Sequence, residues 1–325
     1  MFKILITGRN FGAVSKDDYN YFLDRGYEIL PNPCAGRVPS EDELCEMIVD
    51  ADAILIGNDR ITARVMDHAK HLKVINKSGI GVDNIDIPAA TARGIAVTNV
   101  PGTTANSVAE LAMGFILNIS KLITYTNRRV VSGMWPLDRG NDLCGKTLGI
   151  IGFGRIGQRI AKFANAFDMK VMAYDPYFNT KAADSLNVQQ ATLDEITEQC
   201  DYITLHVPKT RETENLFDAE RISRMKKGSY LINAARGGIV DEDALYDALM
   251  RGHLAGAAVD VLAQEPPVER PKLYDCENFL ITSHSGGNSN DSVAMTCKVS
   301  AENIIAVLEG QQCHNVVNAK ELGQK

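Results

Sequence analysis

The stretch "LGIIGFGRIGQRIAKFANAF" (residues 148–167) joins an apolar run to an amphipathic segment through three closely spaced glycines. Glycines at 152, 154 and 157 form a G-x-G-x-x-G pattern between a predicted strand and a predicted helix. In that context the first glycine permits a tight turn, the second admits a pyrophosphate, and the third lets the helix pack closely on the strand. The helix amino terminus then offers N–H groups to phosphate. The stretch therefore predicts a dinucleotide site formed by Gly152, Gly154 and Gly157.

Asp175 follows the next predicted strand, "KVMAYD", eighteen residues after Gly157. An acid at this place accepts hydrogen bonds from the ribose hydroxyls of the dinucleotide and repels a 2′-phosphate. The spacing therefore favours NAD over NADP. The alternative is that Asp175 caps the turn before Pro176.

Short runs rich in Ile, Val and Leu alternate with amphipathic segments along the chain, which is typical of parallel strands joined by helices. We predict an α/β fold of two Rossmann-like or flavodoxin-like lobes with doubly wound parallel sheets and a central cleft. The NAD-binding Rossmann domain covers 103–289 and contains six predicted strands. A flavodoxin-like, substrate-binding domain covers 1–102 and 290–325.

Two helices are predicted to cross between the lobes. The first carries a capping box at its start, in which Ser107 and Glu110 satisfy each other's backbone donors. The second covers "DSVAMTCKVSAENIIAVLEG" and returns the chain to the first lobe.

Composition and charge narrow the class of protein. The 325 residues are 45% hydrophobic and 23% charged, with a formal net charge of −7, which argues against a nucleic-acid surface. We find neither a signal peptide nor an apolar run long enough to cross a bilayer, so we expect a cytoplasmic protein without a membrane partner. Seven scattered cysteines without C-x-x-C spacing favour reduced thiols and no metal site.

Polar residues stand where three further strands of the second lobe end, although a buried sheet does not need them. "YLINAARGG" reaches Arg236, "AAVDVLAQEPP" passes Asp260 and reaches Glu265, and "NFLITSH" ends at His284. Since carboxyl ends of parallel strands face the ligand crevice, these residues are expected on one rim. Arg236 suits the carboxylate and carbonyl of a 2-keto acid, and His284, oriented by Glu265, suits proton transfer to the developing alkoxide.

The motifs "GFGRIG", "NAARGGIVDEDAL", "AAVDVLAQEPP" and "HSGG", together with "SGIGVDNID" and "NSVAEL", resemble those of the D-isomer-specific 2-hydroxyacid dehydrogenase family over nearly the whole chain. The resemblance implies an NAD-dependent oxidoreductase acting on a small 2-hydroxy or 2-keto acid. It assigns substrate binding to Arg236, acid/base catalysis to His284 and the partner role to Glu265.

The resemblance also implies further contacts around the cofactor and the substrate. Backbone N–H groups of Ser78 and Gly79 are implied to bind the substrate carboxylate. For Asp260, Ser78 and Gly79 a plain turn role is the alternative, and His206 is expected to pack or to cap a strand. The implied cofactor contacts are Ile80, Arg155, Ile156, Val207, Ala234 and Asp260.

The choice of substrate rests on departures from the family pattern. Phosphoglycerate enzymes often carry an arginine pair after the third strand of the first lobe, which holds the substrate phosphate. Here "GNDRIT" offers only Arg60, with Lys77 as the alternative cation. We expect a phosphoglycerate dehydrogenase-like enzyme without the regulatory domain of some relatives. The alternatives are a hydroxypyruvate/glyoxylate reductase and an NAD-sensing corepressor-type protein. Formate dehydrogenases are disfavoured because they place glutamine at Glu265. By resemblance we also expect a homodimer, with Trp135 buried in its contact.

Overall fold

The computed structural model describes residues 1–34 and 36–323, and the chain divides into two compact units. Unit 1 is formed by Met1–Thr104 and Asn288–Lys325, and unit 2 by Ala105–Gly287. These bounds lie two residues from those predicted from the sequence, at 102 and 289.

Unit 1 is built on a five-stranded parallel sheet. The strands are β1 (Lys3–Ile6), β2 (Glu28–Ile29), β3 (Ala53–Ile56), β4 (Val74–Lys77) and β5 (Ala96–Thr98). They lie in the order β2-β1-β3-β4-β5, which is the strand order of flavodoxin-like folds. Central strands such as β3 consist wholly of buried residues, which explains their continuous apolar spelling.

Helices cover the sheet of unit 1, and the last of them comes from the far end of the chain. The helix Asn290–Leu308 places Val293, Cys297, Ala301 and Ile304 in one hydrophobic cluster with residues of β1, β3 and β4. The returning helix predicted from the sequence thus packs within unit 1. The helices are α1 (Asn20–Leu23), α2 (Glu41–Met47), α3 (Ala63–His68), α4 (Ile87–Ala92) and, numbered last in the chain, α12 (Asn290–Leu308).

Unit 2 contains a seven-stranded parallel sheet. The strands are β6 (Thr147–Ile151), β7 (Lys170–Tyr174), β8 (Val188–Gln190), β9 (Tyr202–Leu205), β10 (Tyr230–Asn233), β11 (Gly256–Val259) and β12 (Phe279–Ile281). Their order, β12-β11-β10-β9-β6-β7-β8, is that of a Rossmann sheet with one added strand, and it reverses between β6 and β9. Six of these strands were predicted and β8 was missed, because this three-residue edge strand buries only Val188 and carries two exposed glutamines.

Helices connect successive strands of unit 2 from β6 to β11, as doubly wound connections require, and two further helices precede β6. The parallel α/β class predicted from the alternating pattern is therefore confirmed in both units. The helices are α5 (Ala105–Lys121), α6 (Ile123–Val131), α7 (Arg155–Ala166), α8 (Thr180–Ser185), α9 (Leu193–Gln199), α10 (Ala219–Arg224) and α11 (Glu242–Met250).

The predicted capping box at the start of α5 is wrong. The helix begins at Ala105, so Ser107 lies inside its first turn, and Glu110 accepts a hydrogen bond from the side chain of Asn106. Ser107 and Glu110 therefore lie within the helix and not at its N-cap. Within residues 1–34 and 36–323 no single helix is long and apolar enough to span a bilayer, although α5 and α6 together, bent by 59°, match a span in length and composition.

Candidate active site

The glycine loop lies where the strand order of unit 2 reverses. Gly152 has a φ of +99°, and a Cβ there would lie 2.5 Å from the carbonyl oxygen of His206 at the end of β9. A Cβ on Gly157 would lie 2.2 Å from the carbonyl oxygen of Gly152, so the helix approaches the strand as closely as the motif predicts. Beside Gly154, no heavy atom of the described residues lies within 4 Å of the Cβ position. This open space suits a pyrophosphate.

The residues after Gly154 begin helix α7. Gly154 is the N-cap residue, Arg155 is the exposed first residue of the helix, and Ile156 packs against the core of unit 2. The first-turn N–H groups of a helix have no acceptor within it, so they remain for an anion. The loop therefore fits a dinucleotide phosphate on its own geometry.

Asp175 follows β7 and binds two backbone donors. Its Oδ2 accepts from the N–H of Phe153 and its Oδ1 from the N–H of Tyr177, both at 2.8 Å. The cap role weighed as the alternative is thus present in the structure. Each carboxylate oxygen keeps a further lone pair, and the contact with Phe153 holds the acid beside the glycine loop. The two roles are compatible.

His284 and Glu265 meet directly. The Nδ1 atom of His284 lies 2.6 Å from Oε2 of Glu265, while Oε1 of Glu265 accepts from the N–H of Leu262 at 2.8 Å. Burial raises the pKa of the Glu265 carboxyl, but the bonds from His284 and Leu262 and the charge of Arg236 outweigh burial and lower it. Glu265 is therefore held as a carboxylate that orients the imidazole and leaves Nε2 as its outward nitrogen.

Asp260 holds the loop that carries His284. It is 3% exposed, and its Oδ1 accepts from the hydroxyl of Thr282 at 2.5 Å and from the N–H of Ser285 at 2.8 Å. Its Oδ2 accepts from the N–H of Gly286 at 2.8 Å, and its carbonyl accepts from the N–H of His284. These bonds stabilise His284 at a φ of +53°, which non-glycine residues rarely adopt. The turn role weighed for Asp260 is thus its observed one, and both carboxylate oxygens already have donors.

Arg236 lies in the turn after β10, and its Nη1 donates to the carbonyl of Ala235 at 2.8 Å. Ala234 is buried at the strand end, and Val207 lies beside the glycine loop, with Cγ1 3.1 Å from a Cβ built on Gly152. These residues and Asp260 share the carboxyl edge of the sheet with His284, as predicted from the strand ends.

His206 follows β9, and its ring contacts a side chain of the same strand. Its Nε2 lies 2.7 Å from the hydroxyl of Thr204, and its buried Nδ1 has no hydrogen-bond partner among the described residues. Burial lowers the pKa of its imidazole to about 3, so the ring is neutral.

The residues predicted in unit 1 lie at the carboxyl end of β4. The N–H of Ser78 donates to Ile56 and that of Gly79 to Lys77, each at 2.9 Å, so a substrate carboxylate could use these donors only if the turn rearranged. Ile80 is exposed, and its carbonyl accepts from the side chain of Asn99.

The two cations considered for a substrate phosphate differ in their surroundings. Lys77 is buried, and its Nζ donates to the carbonyl of Gly57 and, at 3.2 Å, to the side chain of Asn58. It therefore ties together the ends of β3 and β4. Arg60 is exposed.

Sequence reasoning missed the residues that hold the site. Thr282 and Ser285 fix Asp260, and the buried side chain of Asn233 fixes the turn of Arg236. The sequence did contain a signal for these residues, namely a polar residue at the end of an apolar strand. A buried polar group requires a hydrogen-bond partner.

The sequence of unit 2 matches a known protein family. Residues 113–286 match the family described as "D-isomer specific 2-hydroxyacid dehydrogenase, NAD binding domain". The chain is 41% identical to the hydroxypyruvate reductase of Thermotoga maritima over 274 residues, covering 82% of this chain and 89% of that protein. The chain belongs to this family. As a 2-hydroxyacid dehydrogenase family member, it carries the NAD-binding domain within unit 2.

Two further relatives in the 2-hydroxyacid dehydrogenase family differ from each other in how much of their length this chain covers. It is 42% identical to the D-3-phosphoglycerate dehydrogenase of Methanocaldococcus jannaschii over 292 residues, which are 88% of this chain but 55% of the relative. The chain thus spans about half the length of that protein. The solved TT0316 protein of Thermus thermophilus is similar with a TM-score of 0.89 and 36% identity, over 97% of this chain and 100% of that one.

Proposed function

We propose that the protein is an NAD-dependent oxidoreductase that interconverts a small D-2-hydroxy acid and its 2-keto acid. The observation that carries the proposal is the His284 to Glu265 contact of 2.6 Å, with the charge of Arg236 acting on the same carboxylate. A surface imidazole needs no such partner, whereas an acid/base residue needs a fixed orientation and a stabilised protonated form.

The chain's own groups divide the work of the reaction. In reduction, Nε2 of His284 donates a proton to the carbonyl oxygen, and the Glu265 carboxylate stabilises the imidazolium before transfer. The Arg236 guanidinium binds the substrate carboxylate and polarises the carbonyl. NAD, when bound, supplies or accepts the hydride. Gly152, Gly154 and Gly157 would hold its pyrophosphate and Asp175 its ribose.

The remaining assigned contacts belong to the same proposal. Unit 1 is the substrate-binding domain. The substrate carboxylate binds at Ser78 and Gly79 after their turn rearranges. The proposed cofactor contacts are Ile80, Arg155, Ile156, Val207, Ala234 and Asp260.

Phosphoglycerate dehydrogenase-like specificity is the finer proposal. Similarity to the M. jannaschii enzyme supports it, and similarity to the T. maritima hydroxypyruvate reductase supports the alternative of a hydroxypyruvate or glyoxylate reductase. Because Lys77 is engaged by the loop after β3, exposed Arg60 is the better candidate for a substrate phosphate.

A cytoplasmic homodimer is part of the proposal. No residue of α6 is buried, and three apolar side chains in and after it are largely exposed: Val131 at 79%, Trp135 at 84% and Leu137 at 93%. Trp135 is thus not buried within the single chain, and a second copy would cover it. Sedimentation velocity should find a dimer that Trp135→Glu weakens, and a monomeric wild type would refute this part.

The activity is tested by following absorbance of the reduced nicotinamide with pyruvate, glyoxylate, hydroxypyruvate and 3-phosphohydroxypyruvate. We expect turnover with NADH and a preference among the four. Tight NADH binding without turnover of any of them would instead favour the NAD-sensing binding protein.

A further inference from the structure

Asn233 ends β10 and lies almost wholly inside unit 2, with 2% of its surface exposed. Its side-chain amide makes hydrogen bonds with the backbone of residues that follow it in the chain. Oδ1 accepts from the N–H of Ala235 at 3.1 Å, and Nδ2 donates to the carbonyl of Arg236 at 3.0 Å. One side chain therefore bonds the two peptide groups on either side of the peptide that joins Ala235 to Arg236.

The peptide between these two groups accepts a hydrogen bond from the arginine side chain itself. Nη1 of Arg236 donates to the carbonyl of Ala235 at 2.8 Å, and Ala235 is the residue whose N–H binds Asn233. The direction of the guanidinium thus depends on a turn that the Asn233 amide holds. A guanidinium binds a carboxylate bidentately only in a narrow geometry, so a small rotation of this turn matters.

Asn233 is also connected to the loop of His284. The N–H of Asp260 donates to the carbonyl of Asn233 at 2.9 Å, and the carbonyl of Asp260 accepts from the N–H of His284 at 2.8 Å. A continuous chain of hydrogen bonds therefore runs across the ends of three adjacent strands. It sets the arginine and the histidine in one frame.

The chemistry of the position selects asparagine. The turn needs one acceptor and one donor from the same buried group, which an amide supplies. Aspartate keeps the bond from Ala235 but loses the donation to Arg236 and brings a negative charge against that carbonyl. Alanine leaves the N–H of Ala235 and the carbonyl of Arg236 without these hydrogen bonds.

We propose that Asn233 is a positioning residue that sets the orientation of Arg236 toward the substrate carboxylate. The inference rests on the proposed function, since it takes Arg236 as the substrate-binding group. Asn233 itself is not among the proposed substrate or cofactor contacts.

The test compares Asn233→Asp and Asn233→Ala with a matched control, Asn165→Asp. Asn165 also donates its amide to a backbone carbonyl in unit 2, that of Leu186, away from the site. With the best keto acid of the wild type, we expect kcat/KM of both Asn233 variants to fall at least tenfold, mainly through KM. The dissociation constant for NADH and the pH at which reduction declines should stay unchanged. The control should keep wild-type KM.

A readout independent of turnover follows the turn itself. Hydrogen exchange at the Ala235 amide, and the rate at which phenylglyoxal modifies Arg236, should both change in the Asn233 variants and not in Asn165→Asp. Unchanged KM, or an equal loss of NADH affinity, would overturn the inference. If the wild type reduces no keto acid while exchange and modification still change, the proposed function fails and the positioning of Arg236 stands.

Discussion

Gly237 and Leu262 approach so closely that a Cβ on Gly237 would lie 1.8 Å from the carbonyl oxygen of Leu262. This contact presses the turn that follows Arg236 against the segment whose N–H binds Glu265. The segments that carry Arg236 and Glu265 are therefore packed against one another, although they follow different strands.

Gly237→Ala should separate these two segments, because neither backbone can yield cheaply. We expect a loss of about 1–3 kcal/mol in the free energy of unfolding, as for other overpacked sites, and a kcat/KM at least tenfold lower. The control is Gly114→Ala in α5, where no described heavy atom lies within 4 Å of the Cβ position. That change should be neutral or stabilising by up to about 1 kcal/mol. Similar melting and kinetics for both variants would contradict the contact.

His284→Asn removes the proposed proton donor and keeps a polar side chain. General acid/base catalysis contributes a hundredfold or more, so turnover should fall by at least about that factor. NADH binding, measured by fluorescence titration, should persist because His284 is not among the proposed cofactor contacts. Near-normal turnover would remove His284 from the mechanism.

Glu265→Gln removes the charge that stabilises imidazolium. Reduction requires the protonated ring, so its rate should decline at a lower pH in the variant than in the wild type. Glu242→Gln is the matched control, since Glu242 accepts from the nearby N–H of Ala263 at 2.6 Å, whereas the imidazole of His284 is bound by Glu265. Superimposable pH profiles for Glu265→Gln and the wild type would argue against the pairing.

Asp175→Asn tests the preference for NAD without removing the side chain. The amide oxygen can still accept from one of the two backbone donors, while the charge that repels a 2′-phosphate is lost. We expect the ratio of kcat/KM for NADH to that for NADPH to fall at least tenfold. A constant ratio would show that the ribose is bound elsewhere.

We expect His206 to make the free energy of unfolding depend on pH. Its folded pKa of about 3 lies below the ordinary value near 6.5, so this contribution is complete above pH 6.5 and is lost as the pH falls toward 3. At pH 5 the loss should be about 2 kcal/mol, at about 1.4 kcal/mol per pH unit. His206→Gln should lack this part of the acid sensitivity. Parallel plots of melting temperature against pH would refute the assignment.

The sequence was sufficient to predict the position of a residue where that position follows from the local sequence pattern. The glycine loop, Asp175 and the polar strand ends were all predictable, because strand, turn and helix must follow each other within a few residues there. The resemblance assigned the partnership of Glu265 with His284, and the structure places them in contact. The local pattern misled at Ser107, where the capping-box motif lies inside a helix, and at β8, whose edge position leaves little apolar pattern.

Contacts between segments that are distant in the chain could not be predicted from the sequence. The hydrogen bonds from Ser285 and Gly286 to Asp260 depend on the register between β11 and β12. The close contact of Gly237 with Leu262 depends on where β10 and β11 end relative to each other. The engagement of Lys77 by the loop after β3 is of the same kind.

The path of the chain through unit 1 affects how the protein is made. A growing polypeptide exposes Met1–Thr104 long before α12 exists, and the apolar face that Val293, Cys297 and Ala301 later cover waits for nearly two hundred residues to be translated. The ribosome therefore synthesises the continuous segment Ala105–Gly287 before the segment that completes unit 1. Chaperone dependence during synthesis should accordingly concentrate on the amino-terminal segment.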